Sequence, residues 1–218
     1  MYHYDTQNYS TLEYLVYDVP QVRGTPGSGK TTLARLLHQY IHKNEPETKI
    51  IYIDIWPEGN PFRHWTDYLV SNGWEAQDGS VIILDEGQTT YRESETALWN
   101  FFKNVSDDPA VYHHRVIVFA SYGSPTGRMS MLLTPISIPP VKRVTLCPIY
   151  HNDDTGPAGL FLTPAECDNL ICRRYPYKDF HFGVTFFTWI FRFTAGHVGG
   201  VLDLISLITS TDVSHCLP

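Results

Sequence analysis

Apolar residues along the chain follow a helical spacing in some stretches and a strand-like one in others. Leu33, Leu36, Leu37, Tyr40 and Ile41 recur at three- and four-residue intervals, which predicts an amphipathic helix over residues 30–43. A strand should end just before it, near Arg23, because residues 24–29 have the composition of a turn. Pro20 lacks a backbone donor, which shortens that strand to residues 21–23. Residues 50–55 form a short β-branched run and read as a second strand. Asn60 and Pro61 read as the cap and first position of a helix marked by Phe62, Trp65 and Leu69 and ended by Gly73. Residues 81–84 are consecutively apolar, as in a strand buried on both faces of a parallel sheet. Ser94 is placed to cap a helix whose apolar face is Leu98, Phe101, Phe102 and Val105. Residues 115–120 and 141–146 predict two further strands.

Such alternation of strands and helices predicts right-handed crossovers and an α/β, three-layer parallel-sheet core, assigned to residues 16–150 after a weakly ordered lead-in at residues 1–15. From about residue 150 only helices are expected. Thr163-Pro164-Ala165-Glu166 is a capping box with proline at the first helical position, and Leu170 and Ile171 continue that helix. Residues 184–193 predict a second helix, broken by Ala195-Gly196, and residues 198–208 a third. Residues 151–218 are therefore read as a small helical lid. The ending at residues 214–218 fits no domain closure and reads as the end of a fragment.

Composition narrows the class. The 218 residues carry a formal charge of −7, which argues against a large nucleic-acid footprint. An apolar fraction of 43% excludes a disordered chain. Cys147, Cys167, Cys172 and Cys216 are too scattered for a disulfide framework or a Cys-x-x-Cys zinc site, so a reduced, intracellular setting is expected, cytoplasmic or nuclear. Residues 1–10 lack the basic start and apolar run of a signal peptide. The apolar run at 182–191 is too short for a bilayer, so no membrane partner is expected. The tryptophans fall where core residues belong. The histidines show no metal-ligand spacing, and no nucleophile elbow or Cys/His pair stands out.

One segment carries chemistry. Gly24-Thr25-Pro26-Gly27-Ser28-Gly29-Lys30-Thr31 matches G-x-x-x-x-G-K-[ST] at every fixed position, with Thr32 following. Glycines let consecutive backbone N–H groups converge on polyphosphate oxygens, and the following helix aims its positive end at the same anion. Lys30 is expected to bind the β- and γ-phosphates, and Thr31 to offer its hydroxyl to Mg²⁺. The bland alternative is a glycine-rich turn before a helix. The strand before and the periodic helix after favour the phosphate loop.

Asp85-Glu86 follows the apolar run at 81–84. Asp85 at a strand's carboxyl end is expected to hold Mg²⁺ through water, and Glu86 to act as general base toward the attacking water. An adjacent glutamate, and the lack of Asn-Lys-x-Asp, favour adenine nucleotide and hydrolysis over GTPase or small-molecule kinase chemistry. If the strand at 115–120 lies between those of the loop and the acidic pair, Ser121 would stand beside the γ-phosphate and help orient the water. Gln88 is a weaker γ-phosphate reader.

Together, residues 24–32, the Asp85-Glu86 pair and the polar-ended strand at Ser121 resemble the additional-strand, catalytic-glutamate class of P-loop ATPases, which includes AAA+ and STAND proteins. Gly196-His197-Val198-Gly199 resembles the Gly-His-Pro segment of that group, with valine where proline is usual. The resemblance implies that His197 approaches the nucleotide phosphates from the lid. More narrowly, residues 20–208 resemble the ATPase modules of fungal Crinkler-like proteins. Those often join the ATPase to nuclease or kinase-like domains, and some act as secreted effectors inside host cells. DNA would then be a partner only through domains beyond these residues, and a homo-oligomer or another protein would be the direct partner. Such ATPases commonly take an arginine finger from a neighbour. Arg128, Arg173 and Arg174 are the arginines considered for that role, and surface charge is the other reading of each. The resemblance implies ATP and Mg²⁺ as ligands and a conformational switch as output. The alternative is a non-catalytic nucleotide-binding interaction module or effector fragment.

Overall fold

The computed structural model describes residues 21–57, 64–76, 79–91, 95–108, 113–121, 143–144, 160–176 and 182–210. Five strands, β1 (Gln21–Gly24), β2 (Lys49–Ile53), β3 (Ser80–Leu84), β4 (Arg115–Ser121) and β5 (Arg143–Val144), form one sheet in the order β2-β3-β4-β1-β5. Every pairing is parallel. Helices α1 (Lys30–Asn44), α2 (Trp65–Ser71) and α3 (Thr96–Asp107) belong to the crossovers, and α4 (Pro164–Arg174), α5 (Val184–Thr194) and α6 (Val198–Ser210) follow the sheet.

A parallel sheet must hide both faces, and strand β3 is buried along its whole length. Val81 and Ile83 point to one face, where they pack with Ala34, Leu37 and Ile41 of α1, Val22, Ile117 and Phe119. Ile82 and Leu84 point to the other, against Leu69 of α2 and Leu98, Trp99 and Phe102 of α3. These two clusters make the three layers of an α/β fold. Fully burying each such aliphatic side chain stabilises the fold by about 1.5–3 kcal/mol. Helices α4, α5 and α6 enclose a separate core of Cys167, Ile171, Ile190, Val201 and Ile205. Among the described residues no helix is long and apolar enough to cross a membrane.

The expected elements recur with shifted ends. Strand β2 closes at Ile53 rather than at residue 55, because Asp54 and Ile55 already bend away. Helix α2 starts at Trp65 behind His64, whose backbone N–H donates to the Asp67 carboxylate at 3.3 Å. Asn60, Pro61 and Phe62 lie outside the described residues. Helix α3 is capped at Glu95, and Ser94 lies outside them. The capping box of α4 is as expected: Glu166 N–H donates to Thr163 Oγ1 at 3.3 Å while Thr163 N–H donates to the Glu166 carboxylate at 2.8 Å. Residues 1–20 and 214–218, Arg128, Cys147, Cys216 and most of the strand expected at 141–146 also fall outside the described residues.

Candidate functional site

Strand β4 lies between β1 and β3, so the carboxyl ends of all three open onto one edge of the sheet. The glycine-rich run leaves β1 at Gly24 and turns into α1 at Lys30. Gly29 occupies the cap position with φ +93°, a left-handed conformation that suits glycine. Glycine brings no side chain to cap the helix, and the first turn, Lys30-Thr31-Thr32, contains no acidic residue. Its orphan N–H groups therefore face outward toward the loop. Ser28 Oγ is buried within the loop and has no hydrogen-bond partner. Backbone donors, a buried hydroxyl and a helix N-terminus thus converge on one cradle, and the chemistry of that donor set suits an anion.

Lys30 is 5% exposed and donates from Nζ to the Thr25 carbonyl at 3.0 Å, so its ammonium is folded over the loop. Burial pulls its pKa below the ordinary lysine value, while the Glu86 and Asp85 carboxylates pull it upward. Thr31 hydrogen-bonds the Asp85 side chain. Asp85 is itself 1% exposed, and its carboxylate also accepts the Glu86 N–H at 3.0 Å. Burial raises the Asp85 pKa above the usual carboxylate value, Glu86 adds to the rise, and the hydrogen bonds and Lys30 oppose it. Lys30, Thr31, Asp85 and Glu86 therefore share one electrostatic site, although the first pair and the second come from different strand ends. Thr31 and Asp85 present two oxygen donors side by side, which suits a hard divalent cation that keeps several waters. Among the described residues no group of three or more His, Cys, Asp and Glu side chains forms a metal cluster.

Glu86 adopts a left-handed backbone at φ +49°, unusual outside glycine. A single 3₁₀ turn, Gly87–Thr90, follows it and presses on β4 so closely that a Cβ on Gly87 would overlap Val118 Cγ1. Gln88 then reaches both ways: its amide nitrogen donates to Glu86 Oε2, and its oxygen accepts the Ser121 N–H at 2.9 Å. Ser121 is the register partner of Gly24, the first residue of the loop. Gln88, the weaker of the expected γ-phosphate readers, lies against Glu86 and β4.

His197, in the turn between α5 and α6, is brought against the loop. Its Nε2 lies 3.0 Å from Thr25 Oγ1 and 3.2 Å from the Pro26 carbonyl, and Gly199 N–H donates to the Gly27 carbonyl at 2.9 Å. The imidazole therefore touches the loop itself. The resemblance already draws His197 toward the site, and the structure adds its partners, Thr25 and Pro26, which no local sequence pattern links to position 197. Arg173 and Arg174 lie exposed in the last turn of α4.

Neither a protein-family model nor a curated protein matches the chain, so its functional reading rests on residues and geometry alone.

Proposed function

We propose that the chain is a P-loop module of the additional-strand, catalytic-glutamate class that binds ATP with Mg²⁺ and hydrolyses it, and that the α4–α6 helices respond to the bound nucleotide. The observation that carries this reading is the convergence of Lys30 and Thr31, from the loop after β1, with Asp85 and Glu86, from the end of β3. The position of β4 between those two strands agrees with that class.

The residues divide the work by chemistry. The N–H groups of residues 24–32 and the Lys30 ammonium hold the phosphate chain, Lys30 exchanging its Thr25 carbonyl for a phosphate oxygen. Thr31 and Asp85 would hold Mg²⁺, which supplies neutralisation of phosphate charge when bound. Glu86 orients a water and accepts its proton as the water oxygen bonds to the γ-phosphorus. The bridging oxygen leaves with the electron pair of the broken bond, giving ADP and inorganic phosphate. Ser121, beside Gly24, lies at the same edge and offers a polar contact to the γ-phosphate or the water. His197, which the resemblance places near the phosphates, holds the loop at Thr25 and Pro26.

Binding of a fluorescent ATP analogue and phosphate release test the reading. Lys30→Ala should abolish binding, and unchanged affinity would overturn the phosphate-loop assignment. Glu86→Gln should bind as the parent does and turn over roughly 10²- to 10⁴-fold more slowly. Binding without turnover in the parent would leave a nucleotide-binding interaction module.

A further inference from the structure

Gln88 spans the gap between the acidic strand end and β4 with a fixed amide orientation. The Ser121 N–H can only donate, so the Gln88 atom 2.9 Å away is its carbonyl oxygen, and the amide nitrogen must face Glu86 Oε2. Both ends of this bridge are held. The 3₁₀ turn is locked against β4 by Gly87, and Thr89 and Thr90 tie their hydroxyls to the Glu86 and Gly87 carbonyls at 2.8 and 2.6 Å. Ser121 in turn is registered on Gly24, where the glycine-rich loop begins. A continuous path thus runs from the loop through Ser121 and Gln88 to one oxygen of Glu86, leaving the other oxygen for a water.

We infer that Gln88 is a positioning residue for hydrolysis: it holds the Glu86 carboxylate in register with the loop and has no contact of its own with phosphate. This rests on the ATPase reading and adds to it the residue that fixes the base. A glutamate side chain has three rotatable bonds, and a base is effective only within hydrogen-bond reach of its proton. A donor on one carboxylate oxygen removes most of that freedom.

Two substitutions separate positioning from structure. Gln88→Leu removes both hydrogen bonds. Gln88→Glu keeps an acceptor for the Ser121 N–H but places a like charge beside Glu86. Both variants should hold the ATP analogue within about threefold of the parent and lower kcat by about 10- to 100-fold. In a Glu86→Gln background, Gln88→Leu should add no further loss, because residues acting through one group are not additive. Parent-like or faster turnover by Gln88→Glu would overturn the inference, as would an undiminished Gln88→Leu effect in the Glu86→Gln background. If Gln88→Leu fails to fold, the Gln88→Glu variant decides, since it retains the tie to β4. A parent that binds ATP without hydrolysing it would overturn the ATPase reading and this inference together; a normal parent with unaffected Gln88 variants would overturn only the latter.

Discussion

His197 Nε2 and Thr25 Oγ1 are 3.0 Å apart although 172 positions separate the two residues. The other ring nitrogen, Nδ1, accepts the Gly200 N–H at 3.0 Å, so the neutral ring carries its proton on Nε2 and donates toward the loop. The Phe161 ring packs against the same imidazole in a T-shaped arrangement, with centroids 5.5 Å apart. The C-terminal helices therefore grip the glycine-rich loop through one side chain and one backbone bond, Gly199 N–H to the Gly27 carbonyl.

Removing that grip should loosen the loop more than the sheet. His197→Ala deletes the side-chain contacts to Thr25, Pro26 and Gly200. Each such hydrogen bond contributes about 0.5–1.5 kcal/mol net. Amide hydrogen exchange should speed up by about tenfold or more in residues 24–29 and 196–201 while β3 and β4 stay protected. Under the proposed function, ATP affinity should fall severalfold. Unchanged exchange in both segments would show that the contact holds nothing in place.

Asp85→Asn should stabilise the ligand-free protein. Burial raises the Asp85 pKa in the fold, so just above its ordinary value of 3.8 the unfolded chain binds fewer protons than the folded one. Stability attached to the neutral form is present below 3.8 and is lost as pH rises through the raised folded value. Asparagine never ionises and escapes that loss. Its melting temperature should exceed the parent's by a few degrees at pH 7, and the gap should close toward pH 4. Under the proposed function, the same variant should also lose Mg²⁺-dependent nucleotide binding. A lower melting temperature at pH 7 would contradict the burial argument.

What could be read from the linear chain follows from how far each interaction reaches. The loop at residues 24–31, the helix after it and the fully apolar strand before Asp85 are each written in fewer than twenty consecutive residues, and all three elements form. The capping box at Thr163 and the break at Ala195-Gly196 are equally local and equally visible. The start of α2 is less so, since a histidine at the cap with Asp67 behind it is a weak signal. Gln88 was legible as a polar residue near the site but not as a bridge, because its role depends on β4 lying next to β3. Nor does the linear chain show that Arg115, which opens β4, clasps Glu45 beyond the end of α1, one of its two contacts measuring 3.0 Å.

The two described cysteines should react at very different rates. Cys172 is exposed on α4, while Cys167, five residues earlier, is buried, and burial followed by the Asp168 charge pushes its thiol up to about 11. At pH 8 alkylation followed by peptide mapping should label Cys172 at least tenfold faster than Cys167, with Cys167 reacting only on unfolding. The linkage has a definite sign: the unfolded thiol ionises near 9.0, so stability falls as pH rises from there to about 11. Cys167→Ala should flatten that alkaline limb, at the cost of a small cavity among Ile171, Ile190, Val201 and Ile205.

Gly196 offers the sharpest test of the turn that presents His197. Its φ of +79° lies in the left-handed region, and a Cβ there would overlap the Leu162 carbonyl oxygen. The backbone is also committed at this point, because Leu162 N–H donates to the Gly196 carbonyl at 2.9 Å. Alanine would therefore have to adopt a strained conformation and push the segment before α4 aside. Gly196→Ala should destabilise the protein by about 2 kcal/mol or more, lowering the melting temperature by roughly 4–8 °C for a chain of this size. Gly183 supplies the comparison: a Cβ there meets nothing within 4 Å and its φ is −73°, so Gly183→Ala should cost only the weaker cap that alanine makes before α5, about 1 kcal/mol or less. If the two substitutions behave alike under differential scanning calorimetry, the close approach of Gly196 to Leu162 does not govern the α5–α6 turn, and the seating of His197 on the loop loses its structural support.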